Sequence, residues 1–107
     1  MPRNNNTHLT STTFTISSGE AAVDIYYDGY PNITTGATIT ITIKKRNLLV
    51  FWKEVVFDAI TVIGDFYNDS LYYQLEKFST YRCTVVYTVS GLGGADDVIT
   101  YESTDSF

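Results

Sequence analysis

Histidine and cysteine, which often serve as general base, thiol nucleophile or zinc ligand, are scarce in this chain. Its 107 residues include one histidine, His8, and one cysteine, Cys83. Acyl transfer requires a nucleophile, a base held against it and a group that orients the base. His8 lies in a polar stretch that offers nothing to fix it, and one His with one Cys cannot complete a four-ligand zinc site. The sequence therefore predicts no catalytic residues, and a protein that is not an enzyme.

Oxygen ligands are more plentiful and leave a calcium site open. Asp65, Asn68 and Asp69 cluster at and just after the Gly64-Asp65 break, which predicts a loop. Oxygen-rich loops can supply the roughly six to eight ligands that calcium takes, although this spacing matches no EF-hand. Acidic loops are more often simply solvated. We therefore predict no cofactor, and keep calcium on these three residues as the alternative.

Aromatic side chains are abundant and suggest a binding role. The chain holds nine Tyr, six Phe and one Trp. Tyrosine is rigid and amphipathic, so a row of exposed rings is a common means of gripping sugar rings or protein surfaces. Six rings fall at predicted outward or loop positions: Tyr26, Tyr30, Trp52, Tyr67, Tyr72 and Tyr101. A simpler interpretation stays open beside this one, because tyrosine is also a good strand residue that pairs across strands.

Charge and hydropathy exclude several classes of partner. The formal net charge is −5 and no basic stripe is visible, which argues against nucleic-acid binding. No apolar run reaches the roughly 18–20 residues of a membrane span, so membrane insertion is not expected. A single cysteine also argues against a disulfide-stapled scaffold.

Apolar and polar residues alternate with a period of two along most of the chain, which is typical of strands with one buried face. The clearest run is 36–46, whose inward positions are Ala37, Ile39, Ile41 and Ile43. The run at 48–58 is apolar on both faces, which indicates a central strand or a bulge. The predicted strands cover residues 10–17, 20–30, 36–46, 48–58, 70–78, 81–89 and 97–107.

These strands predict the fold class. No helix is long enough for a crossover connection, so the sheets should be antiparallel. About seven such strands favour an all-β, two-sheet sandwich of the immunoglobulin or fibronectin kind, with a small closed barrel as the competitor. We expect a flexible polar arm over residues 1–9 and one immunoglobulin-like domain over 10–107.

The stretch "YRC" carries a more specific signal. Tyr81 stands two residues before Cys83 at the head of an alternating strand, the place of the tyrosine corner in immunoglobulin domains. Cys83 has no partner cysteine, and Val23 or Ile25 would occupy the position of the other half-cystine. The motif predicts a structural role for both residues, with Cys83 as a buried thiol.

The chain resembles a loose group of small β-sandwich proteins secreted by Gram-positive, often gut-dwelling, bacteria. The resemblance is carried by "GATITITIKKR", "FWKEVV" and "YRCTVVYTV", followed by a glycine-rich loop and "DVITYES". Pro2-Arg3 matches the start of a mature chain in that group. The resemblance implies the sandwich fold, secretion and a signal peptide removed ahead of Pro2, but no chemistry.

Together these features predict a non-enzymatic secreted or cell-surface module. It would bind a protein or a glycan through exposed aromatic rings and end loops. The alternative is a structural or self-associating module that forms homo-oligomers through an edge strand or a tyrosine-rich face.

Overall fold

The computed structural model describes residues 4–46, 51–76 and 79–106. Seven strands account for most of this part of the chain: β1 (Thr7–Ser17), β2 (Glu20–Gly29), β3 (Thr34–Arg46), β4 (Trp52–Ile63), β5 (Phe66–Gln74), β6 (Thr80–Gly91) and β7 (Asp97–Ser106). Within these ranges no helix is long and apolar enough to cross a membrane.

The strands form two antiparallel sheets. One sheet has three strands in the order β1-β2-β5, and the other has four in the order β4-β3-β6-β7. The predicted all-β, two-sheet sandwich is confirmed, and the competing closed barrel is wrong because the described strands form two separate sheets.

The core lies between the sheets and is built from the alternating residues of β2, β3 and β6. As predicted, the inward faces of these strands are buried: Ala21, Val23, Ile25 and Tyr27; Ala37, Ile39, Ile41 and Ile43; Tyr81, Cys83, Val85, Tyr87 and Val89. Each Val or Ile side chain buried in this way stabilises the fold by about 1.5–3 kcal/mol. The central strands, β2 in one sheet and β3 and β6 in the other, are therefore the most completely covered.

Strand boundaries differ from the prediction where the alternation was weak. β4 runs on to Ile63 rather than ending at 58, and β5 begins at Phe66 rather than 70. β4 is an edge strand with a bulge, because Val55 is left unpaired between Val56 and Glu54. The bulge interpretation of this segment is confirmed and the central-strand interpretation is wrong. Predicted strand residues 48–50, 77–78 and 107 lie outside the described residues.

The tyrosine corner forms as predicted. The Tyr81 ring is buried, and its hydroxyl donates to the Glu76 carbonyl and accepts from the Glu76 amide, both at 2.9 Å. Cys83 is buried two residues further on, and burial raises the pKa of its thiol to about 12. The thiol is therefore a small core side chain, held in the un-ionised form that is unreactive toward electrophiles.

The N-terminal segment is anchored to the start of β7 through Asp97. The backbone amides of Asn5 and Asn6 and the Thr7 hydroxyl each donate to the Asp97 carboxylate at 2.8 Å. Asp97 is 7% exposed and Asn6 is fully buried. Burial alone would raise the pKa of Asp97, but the hydrogen bonds from residues 5–7 lower it below its ordinary value. The flexible arm expected over 1–9 is therefore wrong from Asn5 onward, and β1 begins at Thr7 rather than 10.

The loop between β6 and β7 is shaped to receive this segment. The Gly93 amide donates to Asn6 Oδ1 at 2.9 Å, and the Asn5 side chain donates to the Ala95 carbonyl at 3.0 Å. A Cβ on Gly93 would lie 2.2 Å from the Asn5 carbonyl oxygen, so only glycine fits at this crossing. The glycine-rich loop between β6 and β7 thus hydrogen-bonds the N-terminal segment of the same chain and holds it in place.

Candidate functional site

The six predicted binding rings do not share a face. Tyr26 and Tyr72 lie on the outer face of the three-stranded sheet, and Trp52 lies on the outer face of the four-stranded sheet. Tyr30 follows β2 at one end of the sandwich, where its ring contacts His8 edge-on with 5.8 Å between centroids. Among the six, only Tyr72 is largely exposed, at 61%, and the other five are partly buried.

Two of the six rings face inward. Tyr101 packs edge-on against buried Tyr87, and its hydroxyl donates to the Thr10 carbonyl at 2.7 Å. Tyr67 packs against the core and donates to Asp69 at 3.0 Å. Their expected outward orientation is wrong, because the β5 and β7 registers place both residues in the inward alternation. Both rings stabilise the sandwich rather than face solvent.

The predicted calcium ligands do not converge. Asn68 and Asp69 are strand residues of β5 rather than loop residues, and they lie opposite Tyr26 and Ile25 respectively, on opposite faces of the sheet. The Asp69 carboxylate is engaged by the Tyr67 hydroxyl and by the Ser70 amide. No group of three or more His, Cys, Asp or Glu side chains in the described ranges could hold a metal ion.

His8 has a carboxylate partner, contrary to the expectation that nothing holds it. Its Nδ1 lies 3.2 Å from Asp28 Oδ2, and Tyr30 contacts its ring. This is the geometry of a base with an orienting group. The Cys83 thiol is remote from His8. Cys83 is buried on β6 and lines a groove with Phe14, which lies six residues beyond His8 along β1.

The outer face of the four-stranded sheet is largely free of charge. Three consecutive cross-strand rows run from β4 to β7: Phe57–Thr42–Thr84–Glu102, Ala59–Thr40–Val86–Thr100 and Thr61–Thr38–Thr88–Val98. We call the eleven uncharged residues of these rows the uncharged face. At about 4.8 Å between strands and 6.8 Å between alternate residues, it covers roughly 400 Å². Seven of its eleven residues are threonines, so the face is uncharged rather than apolar.

Several side chains of this face and its border project into solvent. Phe57 is 61% exposed and Val98 is 67% exposed, while Ile63 at the end of β4 is 93% exposed. Exposed β-branched and aromatic side chains without charge resemble the centre of a protein interface, where charged residues are depleted. Threonine adds methyl groups for packing and hydroxyls for hydrogen bonds.

A charged border bounds one end of the uncharged face. The next row is Glu54–Lys44–Arg82–Thr104. The Arg82 guanidinium lies 4.1 Å from the centre of the Trp52 ring, and its Nε lies 3.7 Å from Glu102 Oε1. An uncharged centre with a charged rim is the usual arrangement of a protein-binding surface.

The outer face of the other sheet has a different character. Glu20, Asp24 and Asp28 alternate along its central strand β2. Hydrogen bonds from Ser70 and Thr13 lower the pKa of Asp24, so this carboxylate is ionised and solvated near neutral pH. The two outer faces therefore differ in charge, and the uncharged one belongs to the four-stranded sheet.

Comparison with protein-family models, with curated proteins and with solved structures finds no match for this chain. The surface is therefore interpreted from its own geometry and chemistry.

Part of the uncharged face was already visible in the sequence. The alternation of β3 and β6 identifies Thr38, Thr40 and Thr42, and then Thr84, Val86 and Thr88, as outward residues. What the pattern could not show is that these two strands are neighbours, or that β4 and β7 extend the face on either side. Strand order depends on long-range pairing, for which a single sequence holds no local signal.

Proposed function

We propose that this chain is a non-enzymatic secreted or cell-surface module that binds another protein through the uncharged face. The observation that carries the proposal is the set of three cross-strand rows in which Glu102 is the one charged residue. In a chain of net charge −5, a roughly 400 Å² face without carboxylates is the surface best suited to contact a protein.

Protein is favoured over glycan as the ligand because of how the described rings are placed. Sugar-binding platforms use exposed rings presented together, whereas Tyr72 and Trp52 lie on different sheets. The Tyr26 ring meets Phe66 edge-on rather than forming a flat platform with it. The uncharged face offers methyl groups and hydroxyls, which suit a protein surface.

Site-specific photo-crosslinking in the organism that produces this chain tests this function. A benzophenone amino acid replaces exposed Thr38, on β3 in the row of the uncharged face farthest from the charged border, and the matched variant carries it at exposed Tyr72 on the other sheet. We expect a crosslinked adduct with a second protein from position 38 and none from position 72. The partner identified in the adduct should bind the purified chain, and Thr38→Lys should weaken that binding at least tenfold, because it buries a charge within the interface.

Adducts from position 72 alone would contradict the proposed face and favour the predicted tyrosine site. Absence of heterologous adducts from both positions would contradict the protein-binding function. Adducts of twice the chain's own mass report self-association and are counted separately.

A further inference from the structure

The outer edge of β4 presents backbone groups in a regular row, and one of them, the Ala59 amide, donates to its neighbour Asp58 Oδ1 at 2.9 Å. The Gly64 amide donates to the Thr35 carbonyl, which places Gly36 and Ile63 in a non-hydrogen-bonded pair. The alternation continues along β4, so Phe57, Ala59 and Thr61 direct their amides and carbonyls away from β3. These backbone groups point to the sheet edge, where a further strand can bind them.

The opposite edge is covered by side chains. β1 and β7 lie side by side, and the Tyr101 hydroxyl donates to the Thr10 carbonyl while Asp105 accepts from the Ile16 amide at 3.2 Å. The remaining edge strand, β5, carries Asn68, Asp69 and Ser70 in its middle. Among the described edges, β4 is therefore the one that combines open backbone groups with an apolar sequence.

We infer that two copies of this chain pair antiparallel through β4, centred on Ala59, to form one continuous eight-stranded sheet. In this register residue i faces residue 118 − i of the second copy. Phe57 then faces Thr61 and Ala59 faces itself on the outer face, while Val56 faces Val62 and Asp58 faces Ile60 on the inner face. The register preserves side-chain orientation and allows about six backbone hydrogen bonds between the copies. Two of the six form only when the Ala59 amide of each copy leaves Asp58 Oδ1.

Charge supports a second copy as the occupant. Between Val56 and Val62 the strand has one charged residue, Asp58, and the register places it opposite an isoleucine rather than another carboxylate. Asp58 points inward and accepts a hydrogen bond from the Tyr73 hydroxyl at 2.9 Å. An acidic partner strand would bring carboxylates against a protein of net charge −5, whereas this segment of the chain itself brings almost none.

Two features that protect edge strands in other proteins, a bulge and an inward charge, also occur in β4. The β-bulge at Val55 lies at one end, so Val56–Val62 pairs regularly with β3. The inward carboxylate of Asp58 is engaged by Tyr73 within the same molecule. Neither feature covers the backbone groups of Phe57 and Thr61, whereas the Ala59 amide donates to Asp58 Oδ1 at 2.9 Å, a bond within the strand that pairing has to replace.

The pairing buries a strip about 25 Å long and one strand wide. The area of this strip is below the roughly 1,200 Å² that a stable interface buries. We therefore expect a weak dimer in rapid exchange, with a Kd between about 10 μM and 1 mM. The pairing goes beyond the proposed function and does not depend on it, since it uses the backbone edge of β4 rather than the outward side chains of the uncharged face. It would place two uncharged faces side by side in one sheet.

Sedimentation velocity on the purified chain, from about 10 μM to about 1 mM, tests the inference. Ala59→Lys and Ala59→Glu each place like charges across the two-fold axis, so each variant should weaken the dimer at least tenfold. An equimolar mixture of the two should restore it, because the introduced lysine of one copy then faces the introduced glutamate of the other. Thr100→Lys is the matched control, since Thr100 is exposed in the same cross-strand row but on the β7 edge.

We expect Thr100→Lys to dimerise as the unaltered chain does. A monomer at 1 mM, an equal loss from Thr100→Lys, or a mixture that stays monomeric would each overturn the inference. Circular dichroism of both Ala59 variants verifies that they are folded, and restoration in the mixture shows it independently. These outcomes concern the purified chain alone, so they are separate from the crosslinking test of a second protein.

Discussion

Asp97→Asn is expected to lower the free energy of unfolding by about 2–4 kcal/mol and the melting temperature by roughly 10–25 °C. The Asp97 carboxylate is buried and accepts hydrogen bonds from the Asn5 amide, the Asn6 amide and the Thr7 hydroxyl. An asparagine side chain keeps one acceptor oxygen and turns an NH₂ group toward the remaining donors. The loss should therefore combine weaker hydrogen bonds with a buried donor left unpaired. Chemical denaturation with fluorescence detection measures it.

Asp96→Asn is the control, because Asp96 is exposed and adjacent in sequence. It should change stability by no more than about 0.5 kcal/mol. A loss as large as that of Asp97→Asn would show that the effect comes from net charge and not from the anchored N-terminal segment.

The same carboxylate makes stability depend on pH. The pKa of Asp97 is lower in the folded protein than in the unfolded chain, mainly because residues 5–7 donate to it against the opposing effect of burial. Its contribution is therefore present above the unfolded pKa of about 3.9 and is lost as the pH falls through the folded pKa. The stability difference between the unaltered chain and Asp97→Asn should accordingly narrow between about pH 5 and pH 3. A constant difference over that range would contradict the hydrogen-bonding role of the carboxylate.

Tyr81→Phe should cost about 2 kcal/mol and lower the melting temperature by roughly 8–16 °C. The substitution keeps the buried ring and removes only the hydroxyl, which both donates to and accepts from Glu76 at 2.9 Å. The Glu76 amide and carbonyl then lose their partner beside the core. Differential scanning calorimetry measures the change.

Tyr72→Phe removes the same atom from an exposed strand position and serves as the comparison. We expect no measurable change there. If Tyr81→Phe proved equally silent, the tyrosine corner would not contribute to the stability of the sandwich.

Strand content and core were predictable because they depend on local alternation. In β2, in β6 and in β3 from Ala37 to Ile43, buried residues alternate with exposed or partly buried ones. The YRC motif was predictable for the same reason, since Tyr81 and Cys83 share the inward parity of one strand. Alternation became ambiguous in β4, where apolar residues occupy both faces and the bulge shifts the register.

Features that depend on contacts between distant residues could not be predicted. Asn5 and Asp97 are separated by most of the chain, and a run of polar residues such as "NNNT" has the same composition whether it is anchored or free. The inward orientation of Tyr101 likewise depends on the pairing of β7 with β6. The uncharged face exists only because β4, β3, β6 and β7 are neighbours, an order set by tertiary structure.

Both proposals depend on β4, which forms one border of the uncharged face and the open edge of the sheet. The antiparallel pairing with β3 leaves two kinds of amide on this strand. The amides of Asp58 and Ile60 point toward β3, and those of Phe57, Ala59 and Thr61 point outward. Pairing with a second copy should therefore slow hydrogen exchange at the outward amides and leave it unchanged at the amides that point toward β3.

Amide hydrogen exchange along β4, followed residue by residue by NMR at about 10 μM and about 1 mM, tests this most directly. At low concentration the amides of Phe57 and Thr61 should exchange fast while those of Asp58 and Ile60 are protected. At high concentration the outward amides should slow at least twofold, because at least half of the chains are then paired for a Kd of 1 mM or tighter. Equal exchange of the outward amides at both concentrations would contradict β4 as the element through which this protein associates.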